Sequence, residues 1–480
     1  MKRRLLSIAV AAIVAGCAVT QPVPPKYDLP PGSATAAQNE LLQHWWTAFN
    51  DPVLTALIEE AFNNNLDIKV ALTRIDAARS SVLLAQSDLI PSVDLNANAG
   101  RSRVSAKSSP PLPPGTQLAS NNFAVSLGLT YELDVWGKYR AGLLAASNDL
   151  AASRYYNETV RITVAGDVAT TYFRLRAADA ELIVLRDTLK LRTDTVQLQR
   201  DRFEGGIIGE YDLRLAEAER SAVVADIART ERAIGQLESA IATLTGRSPR
   251  EVFTPAVARG SSIDDVTEVP ELPPGLPSGL LERRPDIRRT EALFAASDLR
   301  IQEARANYFP TFNLTGAYGF ESAVLSSLFN PAAAVWNIGL GLVQPVFGLK
   351  AIEAQVELTT ARRDEITAQY AQTVQVAFRE VHDSLVANRA ARDILAAETD
   401  RRNQVAKAYE VALLRYDAGR TSFLEVIDAQ RQLLAAETLR IEAARDAKVS
   451  IVDFAKSLGG GWSPDQYTAA VTSPPLFSNP

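Results

Sequence analysis

The sequence predicts a mixed α and β membrane protein in which four barrel strands and two very long helices are laid out as two internal repeats. Three observations carry this. The chain repeats itself, its strands alternate strictly between apolar and polar residues, and two stretches of more than sixty residues contain no proline.

The repeat sets the architecture. Asp67-Ile68, Pro91 and Gly100 recur as Asp286-Ile287, Pro310 and Gly319 at an offset of 219. Arg202-Phe203 and Gly206 recur as Arg415-Tyr416 and Gly419 at an offset of 213, which also relates Leu127-Gly128-Leu129 to Leu340-Gly341-Leu342 and Gly246 to Gly459. The six-residue change falls in the loops after Gly100 and Gly319, where length is free to vary. Each half reads as a short helix, two strands, a very long helix, a tight turn and a shorter helix. The first repeat is expected over 41–246, with strands at 91–101 and 122–135. The second is expected over 281–459, with strands at 310–321 and 335–347. A Pro/Gly-rich linker over 247–280 joins them, and a tail over 460–480 follows.

The strands carry the membrane signal. Phe123, Val125, Leu127, Leu129, Tyr131, Leu133 and Val135 alternate with Asn122, Ala124, Ser126, Gly128, Thr130, Glu132 and Asp134. Val93, Leu95, Ala97 and Ala99 do the same, as do Phe312, Leu314, Tyr318 and Phe320, and Trp336, Ile338, Leu340 and Leu342. Strands of about 10 residues with one apolar and one polar face fit an outer-membrane barrel. Two soluble hairpins on a core would alternate in the same way; the export signal described below favours the membrane. Open edges are not tolerated in lipid, and barrels made from one chain start at about eight strands. Four strands therefore require several copies in one barrel.

The helices are equally legible. Lys138 to Phe203 and Lys350 to Tyr416 lack proline, and about 66 residues at 1.5 Å each span roughly 100 Å. Leu213, Ile227, Ile234 and Ile241 repeat at sevens with Arg220 interrupting, and Ala216, Val223, Thr230, Leu237 and Leu244 form a second seam. The equivalent seam in the second half is smaller: Ala429, Ala436, Ala443 and Ser450.

Residues 1–16 read as an export signal: Lys2, Arg3 and Arg4 precede an apolar run from Leu5 to Val14 that is too short to span a bilayer. The run ends in Val14-Ala15-Gly16-Cys17, which resembles the lipobox of bacterial lipoproteins and implies acylation of Cys17. Ala18 follows rather than an aspartate, which implies sorting to the outer membrane of a Gram-negative cell. Residues 17–40 then form a lipidated tether.

The composition excludes several classes. The net charge is −6, without a Lys/Arg-rich block, so nucleic-acid binding is not expected. One cysteine and two histidines, His44 and His382, leave no zinc cluster and no intrachain disulfide. His382 reads as a helix-surface residue and His44 as structural. No nucleophile–base pair is visible, so no enzyme, cofactor or metal site is expected.

Four stretches resemble the TolC-like outer membrane factors, specifically their lipoprotein branch, the NodT family. They are Trp45-Trp46 with Phe49-Asn50-Asp51-Pro52, Tyr131-Glu132-Leu133-Asp134-Val135-Trp136-Gly137, Leu281-Glu282-Arg283-Arg284-Pro285-Asp286-Ile287, and Gln344-Pro345-Val346-Phe347-Gly348. The resemblance implies a homotrimer whose twelve-stranded outer-membrane barrel continues into a periplasmic coiled-coil tunnel, with an equatorial belt built from the linker and tail. It implies a passive exit duct for small molecules, partnered by a periplasmic adaptor and an inner-membrane pump of the resistance–nodulation–division class. A duct for secreted proteins and a trimeric coiled-coil scaffold are the competing readings. The four alternating strands speak against the scaffold.

Two turns between helices stand out. One holds Gly206 and Gly209, the other Gly419 and Ser422, and Gly206 and Gly419 fit the left-handed position that ends a helix. By resemblance these tips dock the adaptor and close the channel. Glu425 and Asp428 are three apart and share a helix face. The resemblance places that face at the periplasmic gate, where a ring of acids attracts cations. Ser422-Phe423-Leu424-Glu425 also reads as a capping box, which would tie Glu425 to the backbone instead. Asp428 has no such alternative. Family members that are closed hold their tips with a Tyr–Asp bond. Tyr416 and Asp212 occupy those positions, while Thr421 replaces the usual arginine and Arg420 stands one residue earlier.

Overall fold

A computed structural model describes residues 19, 44–107, 113–264 and 283–462. The signal segment, Cys17 and all of the tether but residue 19 lie outside these residues, as do 265–280 of the linker and 463–480 of the tail. In chain order the elements are α1 (Pro52–Asn64), α2 (Leu66–Ser87), β1 (Ser92–Arg103), β2 (Ala119–Leu133), α3 (Lys138–Glu204), α4 (Glu210–Leu244), α5 (Pro249–Phe253), α6 (Pro285–Ala306), β3 (Thr311–Ser322), β4 (Ala334–Val343), α7 (Leu349–Asp417) and α8 (Phe423–Ser457). A 3-10 turn, Trp45–Phe49, precedes α1. The chain divides into two compact units. One comprises Ile75–Ala152 and Thr290–Tyr370; the other is built on Ser153–Arg289 with chain before Arg74 and after Ala371.

The first unit holds a four-stranded antiparallel sheet in the order β1-β2-β3-β4. Its register puts the apolar sets of all four strands on one face. Leu95 pairs with Leu127, Leu127 with Tyr318, and Tyr318 with Trp336; one step along, Val93, Leu129, Gly316 and Ile338 form the next row. The other face carries Asn96, Ser126, Gly319 and Val335 in one row and Asp94, Gly128, Ala317 and Asn337 in the next. The apolar face is bare, with Trp336 75% exposed and Leu95 70%. Within one chain β1 and β4 keep free edges.

Two strands stop short of their expected ends. β2 ends at Leu133 rather than 135, because the Asp134 carboxylate turns to cap α3, accepting from Tyr139 N (3.2 Å) and Arg140 N (3.0 Å). β4 ends at Val343 rather than 347, since Pro345 has no N–H to continue the ladder. Trp136 fixes the same β2–α3 turn: its indole donates to Pro310 O at 2.7 Å and stacks on Phe309.

The second unit is helical and holds the larger parts of α3 and α7, which run for 67 and 69 residues in all. Trp45, Trp46, Phe49, Leu54 and Ile58 pack on Tyr172 and Phe173 of α3, with Ala444 and Val452 of α8 in the same core. Asp51 caps α1 through Val53 N and Leu54 N and accepts from the Tyr172 hydroxyl at 2.7 Å. Of the small seam expected on α8, Ala436, Ala443 and Ser450 are buried and Ala429 is half-buried. No helix among the described residues is long and apolar enough to cross a membrane.

Candidate functional site: the helical tips and the gate face

Each long helix ends in the same backbone device. At the first tip Gly206 N donates to Phe203 O (2.9 Å) and Ile207 N to Arg202 O (2.8 Å). At the second, Gly419 N donates to Tyr416 O (2.9 Å) and Arg420 N to Arg415 O (2.8 Å). Both are Schellman caps, and both glycines have positive φ, 70° and 67°. The following helices start at Gly209 and Ser422, neither with a side-chain cap.

That last fact corrects the capping-box reading of Glu425. The Ser422 hydroxyl caps nothing, and the backbone N–H of Glu425 donates to Ser422 O at 3.2 Å. The Glu425 carboxylate turns instead toward Arg415 on the incoming helix, 3.9 Å away, with both side chains half-exposed. Phe423, Val426 and Ile427 are buried against Val196 and Ala216, which fixes the rotation of α8. Glu425 and Asp428 therefore share the exposed face. Gln432, one turn on, donates to Asp428 Oδ2 at 2.6 Å.

The expected Tyr416–Asp212 bond is not formed within the chain. The Tyr416 hydroxyl accepts from Gln199 Nε2 (3.0 Å) and from Arg202 Nη1 (2.6 Å), and the Arg202 guanidinium lies 5.2 Å from the ring centroid. Arg202 supplies this hydroxyl with a charged donor and the ring with a cation over its face. Asp212 instead stands in the first turn of α4, where its charge complements the helix N-terminus. Arg420 is exposed, and Thr421 Oγ1 is buried without a partner. Of the histidines, His382 is exposed on α7 beside Asp383, and His44 meets Trp46 edge to face.

A cluster absent from the sequence reading lies about three turns above the tips. Glu219 of α4 is buried between Arg192 of α3 and Arg431 of α8. Burial pushes the Glu219 carboxyl up, but its bonds to Arg431 and Arg192 outweigh burial and hold it below the ordinary carboxylate range. One signal pointed there: Arg220 breaks the α4 heptad seam, and at that break the neighbouring Glu219 turns inward instead.

These features have relatives. The model of the outer membrane efflux protein family matches residues 57–247 and again 276–460. The chain is 30% identical over 478 residues to a probable efflux pump outer membrane protein, TtgC, of Pseudomonas putida, covering 96% of each. It is also 30% identical to the probable outer membrane lipoprotein SilC of Salmonella typhimurium, covering 96% of this chain and 99% of that one. The structure superposes on the Campylobacter jejuni CmeC outer membrane channel with a TM-score of 0.84 at 26% identity, covering 92% of this chain and 95% of that one. With two matched segments spanning most of its length and a channel fold to go with them, this chain belongs to the outer membrane efflux protein family.

Proposed function

We propose that three copies of this chain close into one passive exit duct in the outer membrane of a Gram-negative cell, the last stage of a tripartite efflux pump. The observation that carries this reading is the sheet. One face is apolar across all four strands, the other is polar or small but for Val335 and Val343, and both edges are free. Such a sheet satisfies its backbone in lipid only when β1 of one copy pairs with β4 of the next. The strands alternate in direction, so that joint is antiparallel like the others. Two copies would give a barrel of about eight strands, whose lumen side chains fill. Three give twelve and leave a water path. The long helices line the periplasmic part of the duct, and acylated Cys17 anchors the start of the mature chain. A periplasmic adaptor docks on the tips around Gly206, Gly209, Gly419 and Ser422, and an inner-membrane pump of the resistance–nodulation–division class delivers the cargo.

The gate is the exposed face of α8. Asp428 is the principal pore acid and Glu425 the lesser one, because Arg415 offsets part of its charge. Reversal potentials in a salt gradient across a planar bilayer test this. Cation selectivity should fall most for Asp428→Asn, less for Glu425→Gln, and nearly vanish in the double variant. Unchanged potentials in all three would contradict this gate.

A further inference from the structure

Near the tips, two arginines converge on one buried carboxylate. Arg192 bonds one Glu219 oxygen through Nη1, and Arg431 bonds the other through Nη2 and, at 2.8 Å, through Nε. The Arg192 and Glu219 side chains are 4% and 11% exposed, while Arg431 is half-exposed. Arg192 and Glu219 belong to one helical hairpin, α3–α4; Arg431 comes from the other, α7–α8. A second tie joins the same hairpins nearer the tip, where Gln199 and Arg202 of α3 hold Tyr416 of α7. Arg192 and Gln199 are seven residues apart on α3, two turns, and so lie on one face. An ion pair in this setting is demanding: removing one partner from a buried pair leaves a charge unpaired and is strongly destabilising.

Arg431 is also three residues beyond Asp428, one turn along α8. Its charge is stabilised first by Glu219 and, more weakly, by Asp428. Held on Glu219, it leaves Asp428 to Gln432. Freed, its guanidinium is within reach of the Asp428 carboxylate and can neutralise it.

We propose that Glu219 is a positioning residue with two effects: it locks the two hairpins of a chain together, and by holding Arg431 it keeps the Asp428 ring charged. Loosening the tips and changing the charge of the constriction are then one event. The charge effect rests on the reading of Asp428 as a pore acid; the lock does not.

Two measurements on the full-length protein separate these. The first is amide hydrogen exchange over 410–432. Arg431→Gln leaves Arg192 and Glu219 as a neutral pair, so the fold is kept, and exchange there should quicken about tenfold. Arg431→Lys should restore most of the protection. Unchanged exchange in Arg431→Gln overturns the lock, whether or not the protein conducts. The second is reversal potential. Glu219→Gln frees Arg431 and should lower cation selectivity, Arg431→Gln should keep or raise it, and the double variant should behave like Arg431→Gln. If Glu219→Gln does not assemble, Arg192→Gln/Glu219→Gln, which buries no unpaired charge, takes its place. Shifts in the same direction for the two single variants, or none while Asp428→Asn still responds, overturn the charge effect. If Asp428→Asn is silent as well, the gate reading has failed, the charge effect falls with it, and exchange still decides the lock.

Discussion

Arg202 and Arg415 occupy the same place in the two halves, two residues before the helix ends, on the same Schellman backbone. Arg202 reaches across to Tyr416 in the other hairpin, whereas Arg415 faces Glu425 in its own. The partners differ because the turns that follow differ. At an offset of 213, Phe203 stands where the second half has Tyr416, Asp212 where it has Glu425, and Leu215 where it has Asp428. Leu215 packs on the core around Val196 and Ile427, while Asp428 is exposed. The repeat fixes backbone geometry, and the side chains are then free to specialise: the first tip grips, and the second presents acids.

The junctions at the other end of the shorter helices show the same division. Asn65 Nδ2 donates to Leu244 O (2.8 Å) in the first half, and Arg284 Nη1 donates to Ser457 O (2.7 Å) in the second. These are corresponding positions, 219 apart for the donors and 213 for the acceptors. Both junctions end on a glycine with φ near 70°, Gly246 and Gly459.

Alanine at the four cap glycines tests how far the equivalence goes. Gly246→Ala should be the most damaging, since its Cβ would fall 2.2 Å from Asn64 O on top of the cost of positive φ. A loss of about 3–5 kcal/mol is expected from strain plus overlap. Gly459→Ala should cost less, because the nearest atom, Arg284 Cα, is 3.3 Å away. Gly206→Ala and Gly419→Ala have nothing within 4 Å and should lose only about 1 kcal/mol each. Chemical denaturation of the four variants checks the order, and equal losses at all four would break the claim that only the junction caps are packed.

A change of the opposite sign is expected at Lys448. Its counterpart, Gly235, is exposed, but Lys448 is buried, and burial pushes its ammonium down to about 8. The folded state therefore disfavours the charged form that the unfolded chain keeps. Stability should rise as pH climbs from about 8 toward the ordinary lysine value near 10.4, as the folded lysine loses its proton first. Lys448→Met should raise the melting temperature at pH 7 by about 2–4 °C and remove that rise. A lower melting temperature in the variant would mean that the ammonium has a partner worth keeping.

Much of this was legible in sequence because the signals are periodic. Period two placed the strands, the absence of proline bounded α3 and α7, and glycine marked the turns. Strand ends were misjudged where a side chain left the ladder for another task, as Asp134 does. The tip contacts were the least legible. A Ser-x-x-Glu pattern reads the same whether or not the side chains cap, and Arg415 decided that at Glu425. Gln199 lies 217 residues from Tyr416 and Arg431 lies 212 from Glu219, distances that no local pattern encodes.

The central claim is that the four-stranded sheet is one third of a barrel. Native mass spectrometry of the purified protein in mild detergent tests it most directly. A single species of three copies, with strand content matching the four strands per chain, is the predicted result. A stable monomer or dimer that keeps the same strand content would contradict it.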